Sequence, residues 1–531
     1  MIQEFLISLI TVFIYCILKT RKAFHMLQQN WYDKSLRFLK WNFRNLKKSL
    51  FEIDIIMILV LIISYVLKVK YIFYVIASFY FLLTIIYLRN LKHEQVKKKL
   101  VYTARLKRLS ITMILLYAIP LIYILNNFVD KSVYLYYLIL VLMINLDFYL
   151  VALANRINMP VEKIVYFYYL NKAKTKIGEM TNMKIVGITG SYGKTTSKNV
   201  LNDILSTEFN TMPTPKNYNT PYGLMVTINN HLDKFNDIFI AEMGTLKRGD
   251  IKKIVNIVNP KYGILTKIGV AHLETLGSQE NIQKEKFTLI ESLPQDGIAV
   301  LNKDDELQVN YKLKNKCRVI WIGIDNEDAD VRATNIKLSH EGSSFDCIIK
   351  GNPKVYHFTT KLLGKVNIYN VLAGIALGLE FGIKDEKLEM AVKRVKPTEH
   401  RLELKKYKNI NIIDDAYNSN PIGSKMAVEV LGLMPGKKII VTPGMIDLGP
   451  KQEELNTKFG EYIAEVADEV ILVGENTTKP IYKGLINKKY DKNKIHILND
   501  VKLAFPLVEK LQDNETYVLL ENDLPDIFNE K

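Results

Sequence analysis

The run Gly187-Ile-Thr-Gly190-Ser-Tyr-Gly193-Lys194-Thr195-Thr196 decides the reading of this chain. The apolar stretch Lys184–Thr189 leading into it has the length of a buried strand, and a helix is expected to start near Thr195. A glycine-rich turn between strand and helix turns its backbone N–H groups outward, and the helix N-terminus adds positive potential. Gly190, Ser191, Tyr192 and Gly193 are therefore expected to cradle phosphate oxygens, with Lys194 as a point charge. The hydroxyl of Thr195 or Thr196 is then in reach of a Mg²⁺ ion. The strict phosphate-loop pattern calls for glycine at position 188, where this chain has Ile188, so the loop is a variant of the form TGxxGKTT.

Downstream, short apolar stretches alternate with segments of helical length: Ile238–Met243, Tyr262–Thr266, Ile298–Leu301, Ile410–Ile413, Lys438–Thr442 and Glu469–Val473. That alternation predicts α/β domains with parallel sheets. Residues 315–360 break it with shorter alternating strands such as Ser344–Ile349 and Lys354–Thr359. Glu242 falls at the C-terminal end of a predicted strand, where α/β folds build their sites.

Upstream, the composition changes. Residues 1–182 hold 25 Lys+Arg against 9 Asp+Glu, whereas the other 349 residues of the 531 hold 47 against 46. The net charge of +17 thus sits almost wholly in the most apolar third, which argues for anionic lipid and against a nucleic-acid groove. Five apolar runs lie there, at about Phe5–Leu18, Ile53–Leu67, Tyr71–Leu88, Leu109–Leu125 and Val133–Ala154, and read as transmembrane helices. Loops 19–51 and 89–108 carry nine and eight Lys+Arg, against two and one in 68–70 and 126–132. Positive-inside then places the basic loops, and everything after about residue 155, in the cytoplasm. The first run follows Glu4 and no basic residue, so it reads as an anchor that is kept, not a signal peptide. Ala23–Leu50 reads equally as an interfacial amphipathic helix or a plain loop. Asp54 and Asp147 are acids in or beside apolar runs, Asp147 the deeper and the better candidate for a substrate or helix-pairing role. Cys16, Cys317 and Cys347 form no CxxC pair and no disulfide framework.

The phosphate-loop variant resembles that of the Mur ligases, the ATP-dependent amide-forming enzymes of peptidoglycan precursor synthesis. Further matches follow in order: Thr214-Pro-Lys-Asn217-Tyr-Asn219-Thr-Pro221, Ala241-Glu242-Met243-Gly244, Ala271-His272-Leu273-Glu274, Lys286-Phe-Thr-Leu-Ile, Asn302-Lys-Asp304-Asp305, His400-Arg401-Leu402, and Asp414-Asp415-Ala-Tyr417-Asn418-Ser-Asn420-Pro421. The resemblance covers about 183–531, and its last motifs are nearest the branch that adds D-alanyl-D-alanine to a UDP-N-acetylmuramoyl tripeptide. The apolar runs give a membrane region over 1–170 and the polar stretch a linker over 171–182, and the resemblance implies a central ATP-binding domain over 183–395 and a Rossmann-like C-terminal domain over 396–531. On that resemblance the family's UDP-binding domain is expected to be absent, with the apolar third in its place. Val366 departs from the branch, which usually has histidine there.

The resemblance also implies roles. Lys194 lies on the β/γ-phosphates of ATP. Thr195 and Glu242 hold one Mg²⁺, and His272 holds a second together with a carbamate on Lys286. Arg401 clamps the γ-phosphate, Asp414 meets the ribose or phosphate side and Asn302 the adenine. Asn217, Asn219, Tyr417 and Asn418 meet substrate. The partners implied are a UDP-linked or lipid-linked cell-wall precursor, an amino acid or dipeptide, and membrane lipid. A relative acting on a γ-linked polymer is the second enzyme reading, and a membrane receptor or assembly protein with a degenerate nucleotide module is the reading from another class.

Overall fold

The computed structural model describes residues 2–522 except 31, 33–36, 51, 68, 70, 94–98, 129–132, 270–272, 418–419 and 447. Two units result, residues 1–168 and 169–531.

The first unit is helical: Ile2–Gln29, Arg37–Arg44, Leu46–Ser49, Ile56–Leu67, Ile72–His93, Ala104–Phe128, Val133–Asn145 and Asp147–Ile157. Three stretches are long and apolar enough to cross a membrane, namely Gln3–Gln29, Ile72–Leu91 and Ala104–Tyr123. The pair Tyr134–Asn145 and Asp147–Ile157, bent by 73°, makes a fourth if it counts as one span. Ile53–Leu67 is apolar but shorter, so length and composition alone give fewer spans than the five apolar runs. The amphipathic helix considered over Ala23–Leu50 is broken into separate pieces, and Phe38 is buried and stacked on Phe148. Inside this unit Lys19 Nζ donates to Asp54 Oδ2 at 2.6 Å, and Lys22 Nζ donates to Glu52 Oε1 at 2.7 Å. Asp147 accepts from Thr20 Oγ1 at 2.7 Å and Tyr117 Oη at 2.9 Å, just after the helix break. It therefore pairs three helices, the second of the two roles considered for it.

The stretch expected as a linker is mostly helical, since Met159–Glu179 runs through it. Its Asn-Lys-Ala-Lys-Thr-Lys sequence is polar, but alanine and straight-chain lysines favour helix as well as solvent.

The second unit carries two sheets. The first contains β1 (Lys184–Thr189), β2 (Thr211–Pro213), β3 (Ile238–Glu242), β4 (Tyr262–Leu265), β5 (Ile298–Asn302), β6 (Arg318–Gly323), β7 (Val331–Ser339), β8 (Gly342–Ile349) and β9 (Val355–Thr360). Their order is β2-β3-β1-β4-β5-β6-β7-β8-β9, parallel as far as β7 and antiparallel from β7 to β9. The central parallel strands β1, β3, β4 and β5 are buried on both faces, which is why they read as unbroken apolar runs, whereas β9 alternates exposed and buried. The second sheet contains β10 (Glu403–Tyr407), β11 (Ile410–Asp415), β12 (Lys437–Thr442), β13 (Glu469–Val473), β14 (Ile495–Leu498) and β15 (Thr516–Glu521), ordered β10-β11-β15-β12-β13-β14. All its pairs are parallel except β10–β11. Both sheets are doubly wound, so chemistry is expected at the C-terminal ends of their strands.

Candidate active site

β1 delivers the chain into the glycine-rich loop, and the helix Lys194–Leu205 follows at once. Gly190 has φ +155°, and a Cβ there would lie 1.8 Å from Thr266 Oγ1, so no side chain fits. Gly193, at φ +78°, takes the left-handed turn that opens the helix. The segment after β4 braces the loop: Thr266 Oγ1 donates to Tyr192 O at 2.6 Å, Ser191 N donates to Lys267 O at 2.9 Å, and Ser191 Oγ donates to Gly269 O at 3.2 Å. Lys194 folds back, donating to Gly190 O at 2.9 Å and Ser191 O at 3.3 Å. Burial holds its ammonium below the usual lysine pKa, with Glu242 opposing and Arg401 adding to the depression. Thr196, the other hydroxyl of the motif, is buried one residue on.

Glu242 ends β3 beside this loop. Its Oε1 accepts from Thr195 Oγ1 at 3.1 Å and from Asn219 Nδ2 at 2.9 Å. Its Oε2 lies 3.3 Å from Lys198 Nζ as an ion pair but accepts no hydrogen bond, although Glu242 is only 1% exposed. A buried carboxylate oxygen left open beside a threonine hydroxyl suits a hard cation that takes oxygen ligands. Asn217 Nδ2 donates to Tyr417 Oη at 2.7 Å, and the Arg401 guanidinium stacks 4.5 Å over the Tyr417 ring. Two of the three asparagines expected to meet substrate are thus engaged here, Asn219 with Glu242 and Asn217 with Tyr417.

Lys286 lies on the helix Gln279–Glu291, 1% exposed, and its Nζ has no hydrogen-bond partner. Burial pushes its pKa well down, the Lys194 charge pushes it further, and Glu285 opposes. Glu285 is occupied elsewhere, accepting from Gly249 N at 2.8 Å and Ile251 N at 3.0 Å to cap the helix Asp250–Val258. A neutral buried amine is the form of lysine that adds to CO₂, and the resulting carbamate would offer the hard oxygens a Mg²⁺ ion takes. His272 and Asn418 lie outside the described residues. Among the described residues no group of three His, Cys, Asp or Glu side chains could hold a metal.

Arg401 sits between His400 at φ +57° and Leu402 at φ +48°, two non-glycine residues in the left-handed region. Backbone strain of that kind marks a turn held in place for its side chain. Asp414 is occupied by His400 Nδ1 at 2.8 Å and Lys405 Nζ at 2.7 Å. Burial alone would raise its pKa, but Lys405 and His400 outweigh that and hold it below the usual carboxylate range. The next residue, Asp415, faces Glu521 across the β11–β15 register. Burial raises its pKa to about 6 against the pull of Arg401. Asn302 ends β5, where its Oδ1 accepts from Asp304 N at 2.9 Å. Beyond this turn opens a cavity of about 400 Å³ lined by Lys303, Asp304, Glu306, Val309, Asn310, Asp325 and Asn326.

Sequence reasoning missed Lys198 and Asp415. The signal for Lys198 was its place one helical turn beyond Lys194, on a helix whose inward positions are otherwise apolar or hydroxylic.

Residues 188–378 match the Mur ligase middle domain, and 400–520 match the Mur ligase glutamate ligase domain. A UDP-N-acetylmuramoyl-tripeptide–D-alanyl-D-alanine ligase of Buchnera aphidicola is 30% identical over 353 residues, which are 62% of this chain and 75% of that protein. The chain belongs to the Mur ligase family. Mur ligase homologues are ATP-dependent ligases. The enzyme of the same name from Bacillus subtilis is 32% identical over 307 residues, 57% of this chain and 65% of that protein. This Mur ligase thus spans just under two thirds of the length of the Bacillus subtilis and Escherichia coli relatives, 65% of each. Its fold is like that of a MurF structure from Acinetobacter baumannii, with TM-score 0.61, 22% identity and coverage of 67% of this chain and 77% of that one.

Proposed function

We propose that this Mur ligase is a membrane-anchored ATP-dependent carbon–nitrogen ligase that adds D-alanyl-D-alanine to a UDP-N-acetylmuramoyl tripeptide. The observation that carries the reading is a phosphate-loop lysine beside a buried carboxylate with one open oxygen, next to a buried lysine with no partner. The similar UDP-N-acetylmuramoyl-tripeptide–D-alanyl-D-alanine ligases supply the substrates of this reading.

The acceptor carboxylate attacks the γ-phosphorus of ATP, ADP leaves, and an acyl phosphate results. The amine of the dipeptide then attacks the acyl carbon. The tetrahedral intermediate expels phosphate, and the nitrogen gives up a proton. Such transfers need positioning and charge neutralisation more than a protein nucleophile. Lys194 would exchange the carbonyls of Gly190 and Ser191 for β/γ-phosphate oxygens. Arg401 would swing from the Tyr417 ring onto the γ-phosphate. Asn302 would border the adenine, and Asp414 or its neighbour Asp415 the ribose. Thr195 and Glu242 would hold one Mg²⁺, with His272 and the Lys286 carbamate offered to a second. Bound Mg²⁺ supplies charge neutralisation along the phosphates. Lys286 would form its carbamate by adding neutral Nζ to CO₂ with loss of one proton.

The basic loops of the N-terminal third support five crossings with both later domains on the cytoplasmic side, where helix length alone gives three or four. If Ile53–Leu67 did not cross, the basic loops 19–51 and 89–108 would fall on opposite faces. Its outer residues are exposed in the structure, among them Leu59 at 61%, Ile63 at 56% and Val66 at 70%, which suits lipid and not water. At 15 residues it falls short of the roughly 20 that span a bilayer, so the membrane would have to thin around it. Reporter fusions after residues 90 and 160 should both read cytoplasm, and a periplasmic signal at 160 removes the topology. ADP release by purified full-length protein, with UDP-linked and lipid-linked muramoyl tripeptides compared, tests the acceptor. No ADP release with either acceptor in the presence of the dipeptide would sink the ligase reading. Preference for the lipid-linked form would move the acceptor into the membrane.

A further inference from the structure

Lys198 is 2% exposed and lies one helical turn beyond Lys194. Its Nζ donates to Thr214 O at 2.9 Å and to Lys216 O at 2.6 Å, and faces Glu242 Oε2 at 3.3 Å. Both carbonyls belong to the loop that carries Asn217 and Asn219. Lys216 adopts φ +47°, a conformation few non-glycine residues hold without a partner to fix it. From the far end of the loop Asn219 reaches the other oxygen of Glu242, and Gly244 N donates to Asn219 O at 2.7 Å. The loop therefore brackets the carboxylate, and Lys198 is the one side chain seen to join the phosphate-loop helix, the Asn217–Asn219 loop and Glu242 among the described residues.

We propose that Lys198 is a positioning residue that ties the Asn217–Asn219 loop to the phosphate-loop helix, so that the loop meets the acceptor in register with Glu242. Thr214 and Lys216 offer only backbone oxygens to it, so an uncharged side chain of similar length leaves the loop without its two bonds. The part of this inference that concerns the acceptor rests on the ligase reading above, whereas the tether itself does not.

The test uses full-length protein in detergent and reads hydrogen exchange together with kinetics. In Lys198→Met, amides of residues 214–219 should exchange at least about tenfold faster, with the helix 194–205 and β3 protected as in wild type. With UDP-N-acetylmuramoyl tripeptide and D-alanyl-D-alanine, the acceptor KM should rise by about tenfold or more while the KM for ATP stays within about threefold. If Lys198→Met does not fold, the double variant Lys198→Met/Glu242→Gln removes both buried charges, and loop exchange should still rise. Unchanged exchange at 214–219 overturns the proposal, and so does an equal rise across the whole central domain, because Lys198 is then only a staple of the fold. A rise in the ATP KM alone also overturns it. If wild type shows no ligation of this acceptor, the ligase reading fails while the exchange experiment still decides the tether.

Discussion

Two buried lysine–carboxylate pairs set the two units apart. In the helical unit Lys19 meets Asp54 at 2.6 Å as a hydrogen-bonded ion pair, and Glu52 and Lys22 add a second pair beside it. In the α/β unit Lys198 meets Glu242 only at 3.3 Å, and the carboxylate is shared with Thr195 and Asn219. The first arrangement matches two lysines with two carboxylates and joins the first helix to the turn that leads into Ile56–Leu67, although Asp54 Oδ1 accepts no hydrogen bond. The second sets Lys194 and Lys198 against the one carboxylate of Glu242, beside Lys286, whose buried amine has no hydrogen-bond partner. Charge that is matched internally reads as architecture. Charge left unmatched in a buried site reads as a place for a polyanion and its metal.

The largest effect expected from breaking that contrast is at Lys286. Lys286→Arg keeps a cation where a carbamate is needed, and turnover should fall by about 10³-fold or more, roughly 4 kcal/mol. Lys286→Ala should also lose activity and regain part of it with acetate in the buffer. A nearly active Lys286→Arg would make this an ordinary core lysine. Next, Asp54→Asn leaves the buried Lys19 with only Glu52, at 3.6 Å, as counter-charge and should cost up to about 3 kcal/mol, read as earlier melting of the helical unit in detergent. Nucleotide binding by the α/β unit should be unchanged, and a loss there would blur the division between the pairs. Lys194→Ala removes the side-chain cation of the phosphate loop and should lower turnover by about 10²-fold at saturating ATP. Near-normal turnover would contradict the phosphate role. The smallest effect is at Asp415. Its pKa is raised from 3.8 to about 6, so between those values the folded chain binds more protons than the unfolded chain. Stability from this group is therefore present at low pH and lost as pH rises through that window. Asp415→Asn should flatten the melting temperature between about pH 4 and pH 6, and an unchanged slope would assign it elsewhere.

The phosphate loop was legible because its chemistry is local: glycines, lysine and threonines within one turn, after a strand read with its boundaries as found. Both doubly wound sheets were legible in their apolar runs. Span counting was harder, because hydropathy registers Ile53–Leu67 and Val133–Ala154 as continuous runs, whereas one is short and the other breaks by 73° near Asp147. Two partnerships were invisible. Lys198 looked like any helix lysine until the fold brought Thr214, Lys216 and Glu242 to it from other segments. Asp414 and Asp415 are indistinguishable in sequence, and only strand pleat sends one toward His400 and Lys405 and the other toward Leu402 N.

The most direct test of an ATP-dependent ligase acting through an acyl phosphate follows one oxygen atom. The acceptor is labelled with ¹⁸O in the carboxylate that is to be joined, and it is incubated with ATP, Mg²⁺, D-alanyl-D-alanine and the full-length protein. The released phosphate should carry one ¹⁸O per amide formed, because the carboxylate oxygen that attacks phosphorus leaves with it. Phosphate free of label, alongside amide formation or ADP release, would contradict the account.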